Sequence, residues 1–153
     1  MIDVEVEDPA WTTEVPDAEV LARSAAEAAL SGAGGSLSIL LADDGAVREL
    51  NARFRGKNSA TNVLSFPMAP NPDGHLGDIA LAFETCLREA GEQSKPLMHH
   101  LQHLTVHGVL HLLGHDHIGD DEAGVMEGLE RVILAGLGVP DPYAAGDGDH
   151  DRA

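Results

Sequence analysis

His107-Gly108-Val109-Leu110-His111-Leu112-Leu113-Gly114-His115-Asp116-His117 is the stretch on which the reading of this chain turns. Histidines four residues apart share one face of an α-helix, so the rings of His107 and His111 can reach a single ion. Gly114 supplies the left-handed backbone that ends a helix, and the chain can then turn back to bring His117 to the same point. Three neutral imidazoles around a divalent cation leave a fourth position for water, the layout of a catalytic zinc site and not of a closed structural one. Burying several imidazoles without a shared purpose would cost desolvation at each, which sets metal binding ahead of simple packing. The spacing predicts one zinc ion per chain on His107, His111 and His117, and with it a metal-dependent hydrolase.

The neighbouring polar residues fall into place around that set. His103 lies one turn before His107 and offers a rival trio, but His103 to His111 spans about 12 Å of helix, too far for three rings to grip one ion. His103 therefore reads as a group supporting the ligands or facing substrate. His115, inside the turn, is a candidate proton shuttle. Asp116 can orient a ligand imidazole by accepting its second N–H, and can equally well cap the turn. His99 and His100 read as surface residues, and His75 and His150 carry no signal.

The same offsets occur in the metzincin peptidase signature His-Glu-x-x-His-x-x-Gly-x-x-His. Here Gly108 stands where a peptidase needs its glutamate base, so a metzincin-like metallopeptidase is the alternative reading.

Working outward, residues 2–7 alternate apolar and acidic side chains, a half-exposed strand. Pro16-Asp17 opens a helix to about Leu30, Leu37–Leu41 is a buried strand, and Asp43-Asp44 caps a second helix bearing Val47, Leu50 and Phe54. Val63–Phe66 and Gly77–Phe83 read as strands around a Pro- and Gly-bearing loop, and Glu84–Ala90 as a short helix. Pro96 starts a longer helix to Leu113. Asp120-Asp121-Glu122 opens the last helix, with Met126, Leu129, Val132, Ile133 and Leu137 as its core face. The expected fold is α+β, a single domain over 1–143. About four strands form a small mixed sheet with flanking helices, and the three-histidine site sits at a helix end. Residues 144–153 are acidic, carry no apolar side chain larger than alanine and are expected to form a disordered tail.

The chain has 153 residues, 26 acidic against 9 basic, for a net charge of −17. That balance argues against nonspecific polyanion binding over the whole surface. Yet Arg48, Arg53, Arg55 and Lys57 crowd into ten residues, so a local basic patch on an acidic body is in prospect. The one cysteine, Cys86, reads as a small buried hydrophobe. No leader pattern and no membrane-length apolar stretch is apparent, which points to the cytoplasm and away from membranes.

In these residues the chain resembles the YbeY-type endoribonuclease family, the bacterial rRNA maturation factors. The block from His107 to His117 matches that family's His-Gly-x-Leu-His-Leu-x-Gly-Tyr-Asp-His hallmark. Leu50 to Lys57 with Thr61 to Pro67, then Leu76-Gly77-Asp78-Ile79, and finally Asp120–Ala123 with Asp141-Pro142-Tyr143 match further segments. Phe54 and His115 stand where the family has tyrosine. The resemblance implies a zinc-dependent, single-strand-specific endoribonuclease for small-subunit rRNA 3′-end maturation and ribosome quality control. It also implies rRNA, ribosomal particles and ribosome-associated proteins as partners, with His107, His111 and His117 as zinc ligands and Arg55 as a functional arginine. A non-catalytic ribosome-assembly factor with a structural metal is a further alternative. For phosphodiester cleavage Arg55 would clamp phosphate oxygens bidentately, a flat phosphate crowding the metal would be one reason for Gly108, and His115, Asp116 and His103 are the candidates for acid and base.

Overall fold

Hydrophobic alternation sets the centre of the molecule. In the computed structural model, which describes residues 1–59, 61–115 and 120–143, strands β1 (Ile2–Val6), β2 (Ser36–Ala42), β3 (Val63–Pro67) and β4 (His75–Ala82) form one mixed sheet. Their order is β1-β2-β4-β3, with β1, β2 and β4 parallel and β3 antiparallel at one edge. The helices are α1 (Ala10–Glu14), α2 (Ala18–Leu30), α3 (Asp44–Arg55), α4 (Phe83–Glu92), α5 (Leu97–Leu112) and α6 (Asp120–Gly136). This is the expected α+β single domain. Asp116, His117 and the expected tail 144–153 lie outside the described residues. Among the described residues no helix is long and apolar enough to cross a membrane.

The two faces of the sheet are covered unequally. Leu37, Ile39 and Leu41 of β2 and Ile79 and Leu81 of β4 point into the main core, against α2 and α5. The stripe Ala22, Ala25, Ala26 and Ala29 lets α2 lie close against its neighbours. The opposite face carries only a small cluster, Leu64, Ala80 and Ala82 with Val47 of α3. α5 is apolar on most sides, as a helix sandwiched between sheet, α2 and α6 must be.

Polar groups fix how α3 and α4 start. The Asp43 carboxylate accepts from the Ala46 N–H at 2.7 Å and caps α3. Asp44 accepts from the Thr85 N–H and hydroxyl at 2.9 and 2.8 Å, while Glu84 accepts from the Asp44 N–H at 2.8 Å. The two helix starts thus cap each other.

One element is absent from the expectations. α1 forms around Trp11, which is fully buried, donates its indole N–H to the Ala42 carbonyl at 2.9 Å and meets Phe83 edge-on.

Candidate metal centre and active site

α5 ends as the sequence demands. The His115 N–H reaches the Leu110 carbonyl and the Gly114 N–H reaches that of His111, each at 3.0 Å, with Gly114 at φ +102°. This is a Schellman stop, and a left-handed residue at its second-last position favours glycine.

On the last two turns of α5 the rings of His107 and His111 converge, their Nε2 atoms 3.2 Å apart. Two nitrogens on one tetrahedral zinc, each about 2.0–2.1 Å from it, would be separated by about 3.3 Å. The other nitrogen of His107, Nδ1, lies 2.7 Å from the Glu130 carboxylate of α6. That bond puts the proton on Nδ1 and leaves the Nε2 lone pair for a cation, the support expected behind a ligand histidine. The donor set fits zinc. Among the described residues no group of three metal-binding side chains converges, and the third candidate, His117, lies outside them.

Glu130 is the residue that sequence reasoning missed. It is completely buried and receives His107, His103 at 3.0 Å and the Tyr143 hydroxyl. Burial alone would raise its carboxyl. The hydrogen bonds from His103 and His107 outweigh that and hold it far below the carboxylate range. His103 is itself pushed toward its neutral form, by burial first, against the pull of Glu130. His103 therefore supports the site from behind, and the rival trio does not form around one ion. A sequence signal existed: Met126, Glu130 and Leu134, four residues apart, are the fully buried positions of α6, whereas Val132, expected in the core, is 72% exposed.

Two other expectations are corrected. His100 is buried, with its Nε2 2.8 Å from the Glu89 carboxylate, and is no surface residue. Gly108 faces the sheet. A Cβ there would meet Ile79 at 3.0 and 3.1 Å and the Ser65 hydroxyl at 3.2 Å. Helix–sheet contact, not a crowding phosphate, demands the glycine. A peptidase glutamate at this position would be driven into the core, which removes the basis for the peptidase alternative.

The structure places the expected Arg55 at the edge of the sheet. Ala82 N–H bonds Asn62 O and Met68 N–H bonds Leu76 O, so the even-numbered residues of β3 pair with β4 and the Ser65 carbonyl faces outward. Arg55, last residue of α3, donates to that carbonyl and lies over the Phe66 ring at 5.3 Å. The Ser65 hydroxyl in turn donates to Gly108 O at 3.4 Å, between the two histidines in sequence. One residue of β3 thus links the arginine to the histidine helix. Among the described residues Arg55 makes no ion pair, so its charge remains available. His115 lines a small cavity of about 240 Å³ with Asp121 and Glu122, and Asp116 lies outside the described residues.

Residues 4–138 match the family described as Endoribonuclease YbeY. The chain is 49% identical over 155 residues to Endoribonuclease YbeY of Rhodopseudomonas palustris, covering 95% of this chain and 82% of that protein. It is 51% identical over 153 residues to its namesake in Azorhizobium caulinodans, covering 94% and 96%. The solution structure of TM1509 from Thermotoga maritima superposes with a TM-score of 0.58 at 18% identity, over 97% of this chain and 99% of that one, and shares the fold.

Proposed function

Because the chain belongs to the YbeY endoribonuclease family, we propose that it is a zinc-dependent, single-strand-specific endoribonuclease. Its place is in maturation of the small-subunit rRNA 3′ end and in ribosome quality control, on ribosomal particles in the cytoplasm. The observation that carries the metal dependence is the pair of Nε2 atoms 3.2 Å apart with Glu130 behind one of them.

His107, His111 and His117 would hold the ion. When bound, zinc supplies a water of near-neutral pKa and a Lewis acid for a phosphoryl oxygen. Glu130 keeps the His107 proton on Nδ1 and the ring fixed in direction. Arg55 keeps its charge while one of its N–H groups is taken by the Ser65 carbonyl. Its remaining N–H groups suit the non-bridging oxygens of a phosphodiester, where negative charge grows during cleavage. His115 and Asp116 are the groups proposed for proton transfer to the nucleophile or leaving oxygen, from the turn that follows the ligands.

The test is elemental analysis combined with cleavage of single-stranded RNA, with and without chelator. One zinc per chain is expected, with cleavage lost on chelation and restored by zinc. His111→Ala should lose both metal and cleavage. Arg55→Ala should keep the metal and lose cleavage by a factor of about a hundred or more, the scale of removing one donor to developing charge. Full cleavage by metal-free protein would overturn the zinc dependence, and unimpaired cleavage by Arg55→Ala would remove that residue from the mechanism.

A further inference from the structure

Beside Arg55 lies an aromatic cluster to which the proposed chemistry assigns nothing. Phe54 is 62% exposed, although it is a large apolar ring in a chain with few aromatics. It meets Phe66 edge-to-face, with centroids 5.6 Å apart and planes at 65°. Arg53 lies over Phe54 at 5.9 Å and Arg55 over Phe66 at 5.3 Å. Both rings line a groove of about 690 Å³ along the thinly covered face of the sheet, with Leu40, Leu50 and Ala80. A ring so exposed keeps a face open to solvent, and leaving it so has no benefit to folding.

The charge around the cluster selects what can cover it. Arg48, Arg53, Arg55 and Lys57 are all exposed on α3 or just after it. Only Arg53 is paired with a carboxylate among the described residues, Glu49 at 3.2 Å. The rest of the groove carries Asp3, Glu5 and Asp78, which repel a phosphate backbone, against a single cation, Arg23, which is paired with Glu19 at 3.2 Å. A polyanion can therefore lie along the α3 end only, while an uncharged flat ring can enter beside Phe54. Aromatic rings flanked by guanidinium groups are the chemistry that stacks single-stranded bases without regard to sequence.

Resting on the endoribonuclease reading above, we propose that Phe54 and Phe66, flanked by Arg53 and Arg55, form a stacking platform for one base of single-stranded RNA. The nucleotide concerned is a neighbour of the one offered to the histidines. Phe66 and the histidine helix lie on opposite faces of β3, an edge strand, with Arg55 held at the outer rim. The RNA would round that rim, with a base on Phe54 on one side, a phosphate at Arg55, and the scissile linkage on the other side.

The test uses the zinc-loaded 153-residue chain and a short single-stranded RNA carrying one 2-aminopurine, whose fluorescence changes on stacking, read before measurable cleavage. Phe54→Ala and Phe54→Leu should each weaken binding about tenfold and abolish the fluorescence change. Phe54→Trp should restore both. In cleavage assays Phe54→Ala should raise KM with kcat little changed, the mark of lost uniform binding. If Leu serves as well as Phe, the ring is an apolar contact and not a stacking platform. If Phe54→Ala instead loses binding to a lysine-rich peptide and keeps RNA, the surface docks protein; either result overturns the proposal. Wild-type cleavage unaltered by Phe54→Ala, in binding and KM alike, would overturn the platform and leave the endoribonuclease reading standing. A wild-type protein that neither binds nor cleaves RNA would sink both.

Discussion

A methyl group at position 108 would press on Ile79 and Ser65, both buried, at distances of 3.0–3.2 Å. Alanine normally stabilises a helix interior over glycine by about 0.8–1.0 kcal/mol. Here overpacking of about 1–3 kcal/mol should outweigh the gain. Gly108→Ala is expected to lower the melting temperature, while Gly124→Ala, with open space around its Cβ, should leave it unchanged or raise it. Equal or improved stability for Gly108→Ala would refute the close-contact explanation. Glu130 makes the complementary case. Glu130→Gln keeps the shape and removes the carboxylate behind His107, so zinc affinity, measured by competition with a chromogenic chelator, should fall about ten- to a hundredfold. At this scale the spacing of His107 and His111 was fully legible, because helix geometry alone makes i and i+4 neighbours. Glu130 was not legible, since a lone acidic residue in a helix ordinarily marks its wet side. Only its phase with Met126 and Leu134 gives it away.

Elements meet here through polar junctions that sequence patterns do not display. The strands and long helices follow from alternation and helical period. The strand order β1-β2-β4-β3 depends instead on which edges are left for β3, and α1 forms because Trp11 finds the Ala42 carbonyl. Asp43 announces itself as a cap from its place before an apolar stripe, whereas Asp44 serves Thr85 of another helix, 41 residues away. Asp44→Ala leaves the Thr85 N–H and hydroxyl without their acceptor, and should cost about 0.5–2 kcal/mol in denaturant unfolding. A loss below about 0.3 kcal/mol, within the range of neutral surface changes, would show the mutual cap to be idle. Glu89 joins α4, the residue that leads into β3, and α5 by accepting from Asn62 at 3.0 Å and His100 at 2.8 Å. Burial would raise its carboxyl, but these bonds and the His100 charge hold it below its ordinary 4.5. The unfolded chain therefore takes up this proton first as acid is added. The stabilisation is complete above pH 4.5 and is lost as pH falls from there through the folded value. Glu89→Gln should flatten that part of the stability–pH curve, and an unchanged acid limb would show that other carboxylates control it.

For the whole molecule the question is how a chain with 26 acidic and 9 basic residues can work on a polyanion. Range decides it. At about 0.15 M salt the screening length is about 8 Å, so a strand at the α3 end is governed by Arg48, Arg53, Arg55 and Lys57 and hardly by the acidic body. At about 0.01 M the length grows to about 30 Å, roughly the breadth of a small domain, and the full charge of −17 is felt at the same place. Each phosphate neutralised on a single strand contributes a slope of about −0.7 to log K against log salt, so four cations give at most about −3. Affinity for single-stranded RNA, followed by fluorescence anisotropy, should accordingly fall with a slope no steeper than that near physiological salt. Lys57→Ala should make the slope shallower by about 0.7. Toward low salt the curve should bend over, because repulsion from the body gains range while the local contacts gain little. A straight line continuing down to about 0.01 M, or a slope far steeper than about −3, would place the strand along some other surface than the α3 end of the sheet.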